Sequence, residues 1–99
     1  MTVIGTGGVQ LRFLDYRKKF HRELRKLPQE LRDRVCEKLN DLLKDPRPSG
    51  LGFEKLQGHA RPDIYTIHVT GNYKISFEIG GDTAILRRVA SHDEIDRAP

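Results

Sequence analysis

The chain has 99 residues, of which 36% are apolar and 32% are charged, and its formal net charge is +4. This length is enough for one domain with a thin core and too short for two. No apolar run approaches the roughly 20 residues of a membrane span, so we expect no membrane-spanning segment. A single cysteine excludes an internal disulfide. The N-terminal residues lack a basic segment followed by an apolar stretch, so we expect no secretory signal and a cytoplasmic location.

Basic residues are concentrated between positions 17 and 26. Six of them accompany a single acid, Glu23: Arg17, Lys18, Lys19, Arg22, Arg25 and Lys26. Such a cluster is typical of a solvated helix face, and it also suits contact with a polyanion such as RNA. The cluster by itself leaves both interpretations open.

The first elements follow from hydrophobic spacing. Residues 1–8 contain three glycines and no periodicity, which predicts a flexible leader before a domain over 9–99. From Val9 onwards the pattern alternates, with Leu11 and Phe13 on the same face, and this predicts a short strand.

Two helices are predicted next. Asp15 is a suitable N-cap, and Pro28 suits the start of a second helix, where its missing N–H costs nothing. The apolar stripes are Tyr16, Phe20, Leu24 and Leu27 in the first helix and Leu31, Val35, Leu39, Leu42 and Leu43 in the second. Because the connection is very short, the two helices are expected to form an antiparallel hairpin.

The second half of the chain predicts a β-meander. Residues 49–62 are rich in glycine and proline and predict a long irregular connection. Alternating segments at 64–69, 73–79 and 83–89 are separated by turn residues and predict three antiparallel strands, followed by a polar tail. The predicted fold is therefore α+β, in the order β-α-α-β-β-β, with a helical hairpin packed on one face of a small antiparallel sheet. The other face of the sheet is expected to bear the functional site.

Polar residues of that second face form a candidate catalytic group. His68 and Lys74 flank a turn and should be cross-strand neighbours, while Arg88 and His92 flank the end of the last strand, beside Arg87. Cleavage of RNA by its own 2′-hydroxyl needs a base, an acid and a cation, and two histidines with an arginine can supply all three. A polar solvent-exposed sheet face would explain the same residues. The histidine spacing predicts no metal site, and we expect no cofactor.

Three longer segments resemble a known family. They are "RKLPQELRDRVCEKLNDLLKDPRPSGLGFEKLQG", "IYTIHVTGNYKISFEI" and "ILRRVASHDEI", and the likeness extends from Leu11 to Arg97. In this order they resemble the RelE/ParE superfamily of type II toxin–antitoxin toxins. Within it, "HVTGNY" followed by "RVASH" is most similar to the YafQ branch of ribosome-dependent mRNA endonucleases.

The resemblance implies roles for individual residues. It implies proton transfer by His68 and His92, with Arg88 stabilising the phosphate. The substrate-binding residues that we expect are Lys55, Arg61, Tyr73, Lys74 and Arg87. Two positions depart from the family pattern: Asn72 stands where the branch has an aspartate, and Asp96 where many members have an aromatic residue that stacks on a base.

The implied function is that of a toxin that inhibits translation as a metal-independent endoribonuclease. Its implied partners are a cognate antitoxin, with which it would form an oligomer, the ribosome and mRNA. One alternative is a ParE-like inhibitor of DNA gyrase, which shares the scaffold without nuclease activity, and another is an inactive relative kept as a binding module. The combination of His68, Arg88 and His92 favours the nuclease, because a binding surface does not need two imidazoles beside a guanidinium.

Overall fold

The computed structural model describes residues 10–99, so the predicted leader over 1–8 and Val9 lie outside the described residues. The elements in chain order are β1 (Phe13–Tyr16), α1 (Lys18–Arg25), α2 (Gln29–Leu42), β2 (Glu54–Lys55), β3 (Tyr65–His68), β4 (Tyr73–Gly80), β5 (Thr83–Ser91) and α3 (His92–Arg97). The strands form one five-stranded sheet in the order β1-β5-β4-β3-β2. The predicted α+β fold, with a helical pair packed on the sheet, is confirmed.

The helical hairpin forms because each helix has one apolar stripe to bury. The stripe residues Phe20, Val35, Leu39 and Leu42 are at most 2% exposed and belong to the main core. Pro28 precedes α2 with an extended backbone and serves as its N-cap residue, as the sequence predicts. Within residues 10–99, none of the helices has the length and apolar character needed to cross a membrane.

The sheet separates the core from the site. Ile67 of β3 pairs with Ile75 of β4, and Ile75 pairs with Val89 of β5, and all three side chains are buried in the core beneath the helices. Because side chains alternate along a strand, the neighbouring residues His68 and Lys74 point to the opposite face. This opposite face is called the site face below.

The first strand differs from its prediction. Leu11 is fully buried whereas Phe13 is 59% exposed, so the two do not share a face. The cause is local: the backbone N–H groups of Arg12 and Phe13 both donate to the carbonyl of Asp82, at 2.7 and 3.2 Å, which interrupts the alternation. From Phe13 onwards β1 runs parallel to β5, so the otherwise antiparallel sheet has one parallel edge.

The start of the first helix also differs. Asp15 lies inside β1 and pairs with Ile85, so it cannot cap α1. The N-cap residue is Arg17, which makes no capping hydrogen bond through its side chain. The strand therefore passes into the helix with almost no connecting loop.

Three short elements occupy the connection that was predicted to be irregular and the polar tail. The connection over 49–62 contains a 3-10 turn at Ser49–Leu51 and the two-residue strand β2, which pairs with β3. The polar tail forms α3, whose N-cap Ser91 accepts a hydrogen bond from the backbone N–H of Glu94. Ile95 is the one large apolar residue of α3, and it is fully buried.

Candidate functional site

Two histidines from separate elements meet on the site face. His68 is the last residue of β3 and His92 is the first residue of α3. Their ring centroids lie 4.9 Å apart, and the ring planes are inclined by 47°. The backbone N–H of His92 donates to the carbonyl of Asn72 at 2.9 Å, which ties the start of α3 to the β3–β4 turn. The pair of imidazoles predicted from the sequence is therefore brought together.

Gly52 supports the ring of His68. A Cβ atom added at Gly52 would lie 2.1 Å from Cδ2 of His68, far inside van der Waals contact. Gly52 also has a φ of 69°, a left-handed conformation that favours glycine. The imidazole therefore lies against a bare backbone, and any larger residue at position 52 would displace it.

Lys74 lies directly beside the histidine pair. It faces His68 across the β3–β4 ladder, and it is only 6% exposed. Its ammonium group donates to Oδ1 of Asp96 at 3.0 Å, so α3 provides the counter-charge. A buried cation next to two imidazoles is the strongest concentration of reactive groups on this face.

The environment of His68 favours its neutral form. Burial lowers the pKa of His68, and the adjacent His92 and Lys74 lower it further. The carboxylates of Glu54 and Asp96 act in the opposite direction without reversing the shift. Since the pKa falls below its ordinary value of about 6.5, His68 is neutral at pH 7 and can accept a proton.

Three buried polar atoms at this site have no hydrogen-bond partner among the described residues. They are Oγ1 of Thr66, Oγ of Ser76 and Nε2 of His92. Thr66 and Ser76 face each other across the β3–β4 ladder, two residues along it from His68 and Lys74 and on the same face. Unpaired buried polar groups are costly, so their clustering here distinguishes the site from the other parts of residues 10–99.

Arg88 is occupied by carboxylates. Its Nε and Nη2 atoms donate to Glu23 of α1, at 2.6 Å for the shortest contact, and Nη2 also contacts Glu94 at 3.2 Å. Its Nη1 donates to the carbonyl of Ala98 at 2.9 Å, and the bonds to Glu23 raise the pKa of Arg88. Glu23 also accepts the backbone N–H of Val89 at 3.2 Å. Arg88 therefore joins α1, β5 and the end of α3.

The other predicted substrate-binding residues are dispersed. Lys55 pairs with Asp63 at 3.5 Å, and both side chains are about half exposed. Arg61 is exposed in the loop between β2 and β3. Tyr73 is half-buried against the main core, and Arg87 forms an ion pair with Glu78 on the site face. Of the residues predicted for the site, the structure thus groups His68, His92 and Lys74 and places the others around them.

Within residues 10–99, no group of three or more His, Cys, Asp or Glu side chains is arranged to hold a metal ion.

Known proteins show similarity to this chain in sequence and in fold. No family model matches the sequence. Toxin RelE3 of Methanocaldococcus jannaschii is 33% identical over 86 residues, which are 81% of this chain and 90% of that protein. The chain belongs to the RelE toxin family. The expected relation to the RelE/ParE superfamily is thereby confirmed, and the protein is a RelE-like toxin of the type II toxin–antitoxin class.

Solved structures of RelE toxins have the same architecture. The crystal structure of a RelB–RelE antitoxin–toxin complex from Methanococcus jannaschii matches with a TM-score of 0.65 and 30% identity, over 86% of this chain and 99% of that one. The E. coli DinJ–YafQ toxin–antitoxin complex matches with a TM-score of 0.68 over 88% of this chain and 98% of that one, but at 14% identity. The likeness to YafQ is therefore one of fold.

Two residues of this candidate site were not predicted. Glu23 was visible in the sequence as the single acid among six basic residues, a signal that it has a specific cationic partner. Gly52 gave no comparable signal, because its contact with His68 depends on the pairing of β2 with β3.

Proposed function

We propose that this RelE-family toxin is a ribosome-dependent mRNA endonuclease that cleaves by attack of the RNA 2′-hydroxyl on the adjacent phosphate. The observation that carries the proposal is the imidazole pair of His68 and His92, 4.9 Å apart, beside the buried ammonium group of Lys74. A proton acceptor, a proton donor and a cation are the three groups that this reaction requires.

The role of His68 follows from its electrostatics, and the roles of His92 and Lys74 follow from their places beside it. His68, held neutral by its lowered pKa, accepts the proton of the 2′-hydroxyl. His92 donates a proton to the 5′-oxygen as its bond to phosphorus breaks. Lys74 stabilises the negative charge that develops on the phosphorane oxygens. The products are a 2′,3′-cyclic phosphate and a 5′-hydroxyl, and no metal takes part in the chemical step.

The remaining site residues support this chemistry. The sequence resemblance assigns the phosphate to Arg88, but Glu23 and the carbonyl of Ala98 already occupy that guanidinium. Arg88 thus has two carboxylate partners and a carbonyl, whereas the ammonium group of Lys74 has a single carboxylate partner, Asp96. We therefore assign the phosphorane charge first to Lys74, and Arg88 holds α3 and its histidine in place. The loop cations Lys55 and Arg61, with Tyr73 and Arg87, are proposed to bind the RNA strand.

The partners in this proposal are the ribosome with its mRNA and a cognate antitoxin. A few polar side chains orient a flexible RNA poorly, so the ribosome would provide the alignment that the site lacks. The proposed antitoxin is supported by the RelB–RelE and DinJ–YafQ complexes, in which the related toxins are bound to antitoxins. An antitoxin bound over the site face would restrain the toxin in the cytoplasm.

The test is cleavage of a defined message in a translating extract. The wild type should produce fragments ending in 2′,3′-cyclic phosphate and 5′-hydroxyl, and replacing the attacking 2′-hydroxyl by a 2′-O-methyl group should abolish the cut. His68→Gln and His92→Gln should each cut about 100- to 10,000-fold more slowly. His21→Gln, which alters an exposed histidine of α1, should cut at the wild-type rate.

Two other outcomes would refute the nuclease. An intact message together with lost DNA supercoiling activity of gyrase would identify a ParE-like gyrase inhibitor. An intact message with normal supercoiling would identify a binding module that has no catalytic activity.

A further inference from the structure

A second concave surface lies beyond the histidine pair. It is an open cleft of about 630 Å³, called the cationic cleft below. The side chains that give it charge are Arg17, Lys19, Arg87, Arg88 and Arg97, and His59 also lines it. They come from α1, from the β2–β3 loop, from β5 and from α3, and no aspartate or glutamate lines the cleft.

The charge of the cleft is only partly compensated. Arg87 pairs with Glu78, and Arg88 pairs with Glu23 and Glu94. Arg17, Lys19 and Arg97 form no ion pair with an acidic residue of the described chain. Three cations therefore converge on one concavity without an acidic partner among residues 10–99, an arrangement that raises the local concentration of anions.

We propose that the cationic cleft binds phosphate groups of the RNA backbone, independently of base sequence. The inference rests on the proposed RNA substrate and assigns to the same protein a second contact with it. Guanidinium groups bind phosphates through paired N–H donors, and four arginines line the cleft besides Lys19: Arg17, Arg87, Arg88 and Arg97.

The apolar lining favours RNA over an acidic protein segment. It consists of Ala60, Pro62, Ala98, Pro99 and the almost fully buried Ile64, and the lining contains no Phe, Tyr or Trp. A peptide would need apolar pockets to anchor its side chains, and a base would need an aromatic ring on which to stack. A phosphate backbone needs neither.

The cleft is placed where it can hold a strand that also enters the reactive site. Its residue Arg97 ends α3, and His92 begins it. Five helical steps of 1.5 Å separate the two by about 8 Å along the helix axis. Phosphates in the cleft would thus hold the strand close to the scissile bond.

The test measures RNA binding without cleavage. A fluorescent 12-nucleotide single-stranded RNA with 2′-O-methyl riboses is titrated with protein at several KCl concentrations. The variant Arg17→Gln/Lys19→Gln/Arg97→Gln should bind more weakly, and the slope of log K against log salt should fall by about 2, since each lost single-strand phosphate contact removes about 0.7.

A matched variant controls for net charge. Arg34→Gln/Lys38→Gln/Lys44→Gln removes the same three charges from α2 and its C-terminal end, away from the cleft. This variant should keep the wild-type salt slope. Equal losses of slope in the two variants would show a diffuse charge effect and overturn the proposal.

Further arms identify the ligand. Polyglutamate that competes with the RNA at equal charge concentration would overturn an RNA site in favour of an acidic protein segment. Sedimentation with vacant ribosomes distinguishes ribosomal RNA from message. If the cleft variant binds vacant ribosomes more weakly than the wild type does, the bound backbone is that of ribosomal RNA. If the variant loses affinity for the oligonucleotide alone, the bound backbone is that of message. Either result keeps RNA as the ligand.

The outcome is separable from that of the proposed function. If the wild type does not cut message but the cleft variant shows the reduced salt slope, the RNA site in the cleft is supported and the proposed nuclease activity is refuted. If the wild type cuts message and the altered cleft binds RNA unchanged, the nuclease stands and the cleft is refuted.

Discussion

The contact between Gly52 and His68 allows the position of the proposed base to be tested without changing the base itself. In Gly52→Ala the new methyl group would lie 2.1 Å from the imidazole, whereas ordinary contact begins at 3.4 Å. The ring must therefore move by about 1.3 Å. Because misplacement of a reacting group by about 1 Å can cost about 100-fold in rate, we expect Gly52→Ala to cut message about 100-fold more slowly.

Backbone strain must be separated from this displacement. A non-glycine residue in the left-handed region costs about 1–2 kcal/mol, which lowers the melting temperature of a domain of this size by about 4–16 °C. Gly81 supplies the control, since its φ of 63° is close to the 69° of Gly52 and a Cβ atom there meets nothing within 4 Å. Gly81→Ala should therefore lose similar stability and keep the wild-type cleavage rate.

The assay combines cleavage rate, thermal melting and the NMR signals of the His68 imidazole. Gly52→Ala should shift those signals, and Gly81→Ala should leave them in place. If Gly52→Ala cuts message as fast as Gly81→Ala while the His68 signals have moved, the placement of this ring does not matter for catalysis and the assignment of His68 as the base is refuted.

Three more expectations concern the charged groups around the site. Glu23→Gln should lower stability by about 2 kcal/mol, because Arg88 loses its charged acceptor at a largely buried position; a melting temperature within 2 °C of the wild type would contradict this. The pKa of His68 is lowered in the folded state, so as the pH drops the unfolded chain takes up a proton on His68 before the folded chain does. The free energy of unfolding should therefore fall below about pH 6.5. In urea titrations at pH 7 and pH 5, His68→Gln should show a smaller fall than the wild type. Asp96→Asn should free Lys74 for the phosphate and raise kcat/KM about fivefold, equivalent to about 1 kcal/mol, and a slower enzyme would show that the ion pair serves to hold Lys74 in position.

The sequence predicted the parts of the fold that repeat a pattern. The stripe from Leu31 to Leu42 and the alternation from Tyr73 to Ile79 each extend over several residues, so one face of each element must be buried, and α2 and β4 formed where expected. Phe13 was assigned to the wrong face because two backbone N–H groups share one carbonyl there, and hydrophobic alternation carries no information about such an irregularity.

Shorter features were harder to foresee. The helix α3 has a single apolar residue, Ile95, so no periodicity marks it, although Ser91 followed three residues later by Glu94 is a capping signature that would have predicted its start. The proximity of His68 and His92 was expected from their places at the ends of strands. The partners of Arg88 were not, because they lie on two other helices that only the tertiary structure brings together.

The pairing of Arg88 with Glu23 has a consequence for the order of folding. The two residues are 65 positions apart, and contacts across long stretches of chain form slowly because closing the loop costs entropy before any contact is made. During synthesis, a chain that has emerged only as far as β4 can already form its helical hairpin and the β3–β4 ladder, whereas His92 has yet to reach His68. Because His92 directly follows β5, we expect the pair of His68 and His92 to assemble only once β5 lies between β1 and β4.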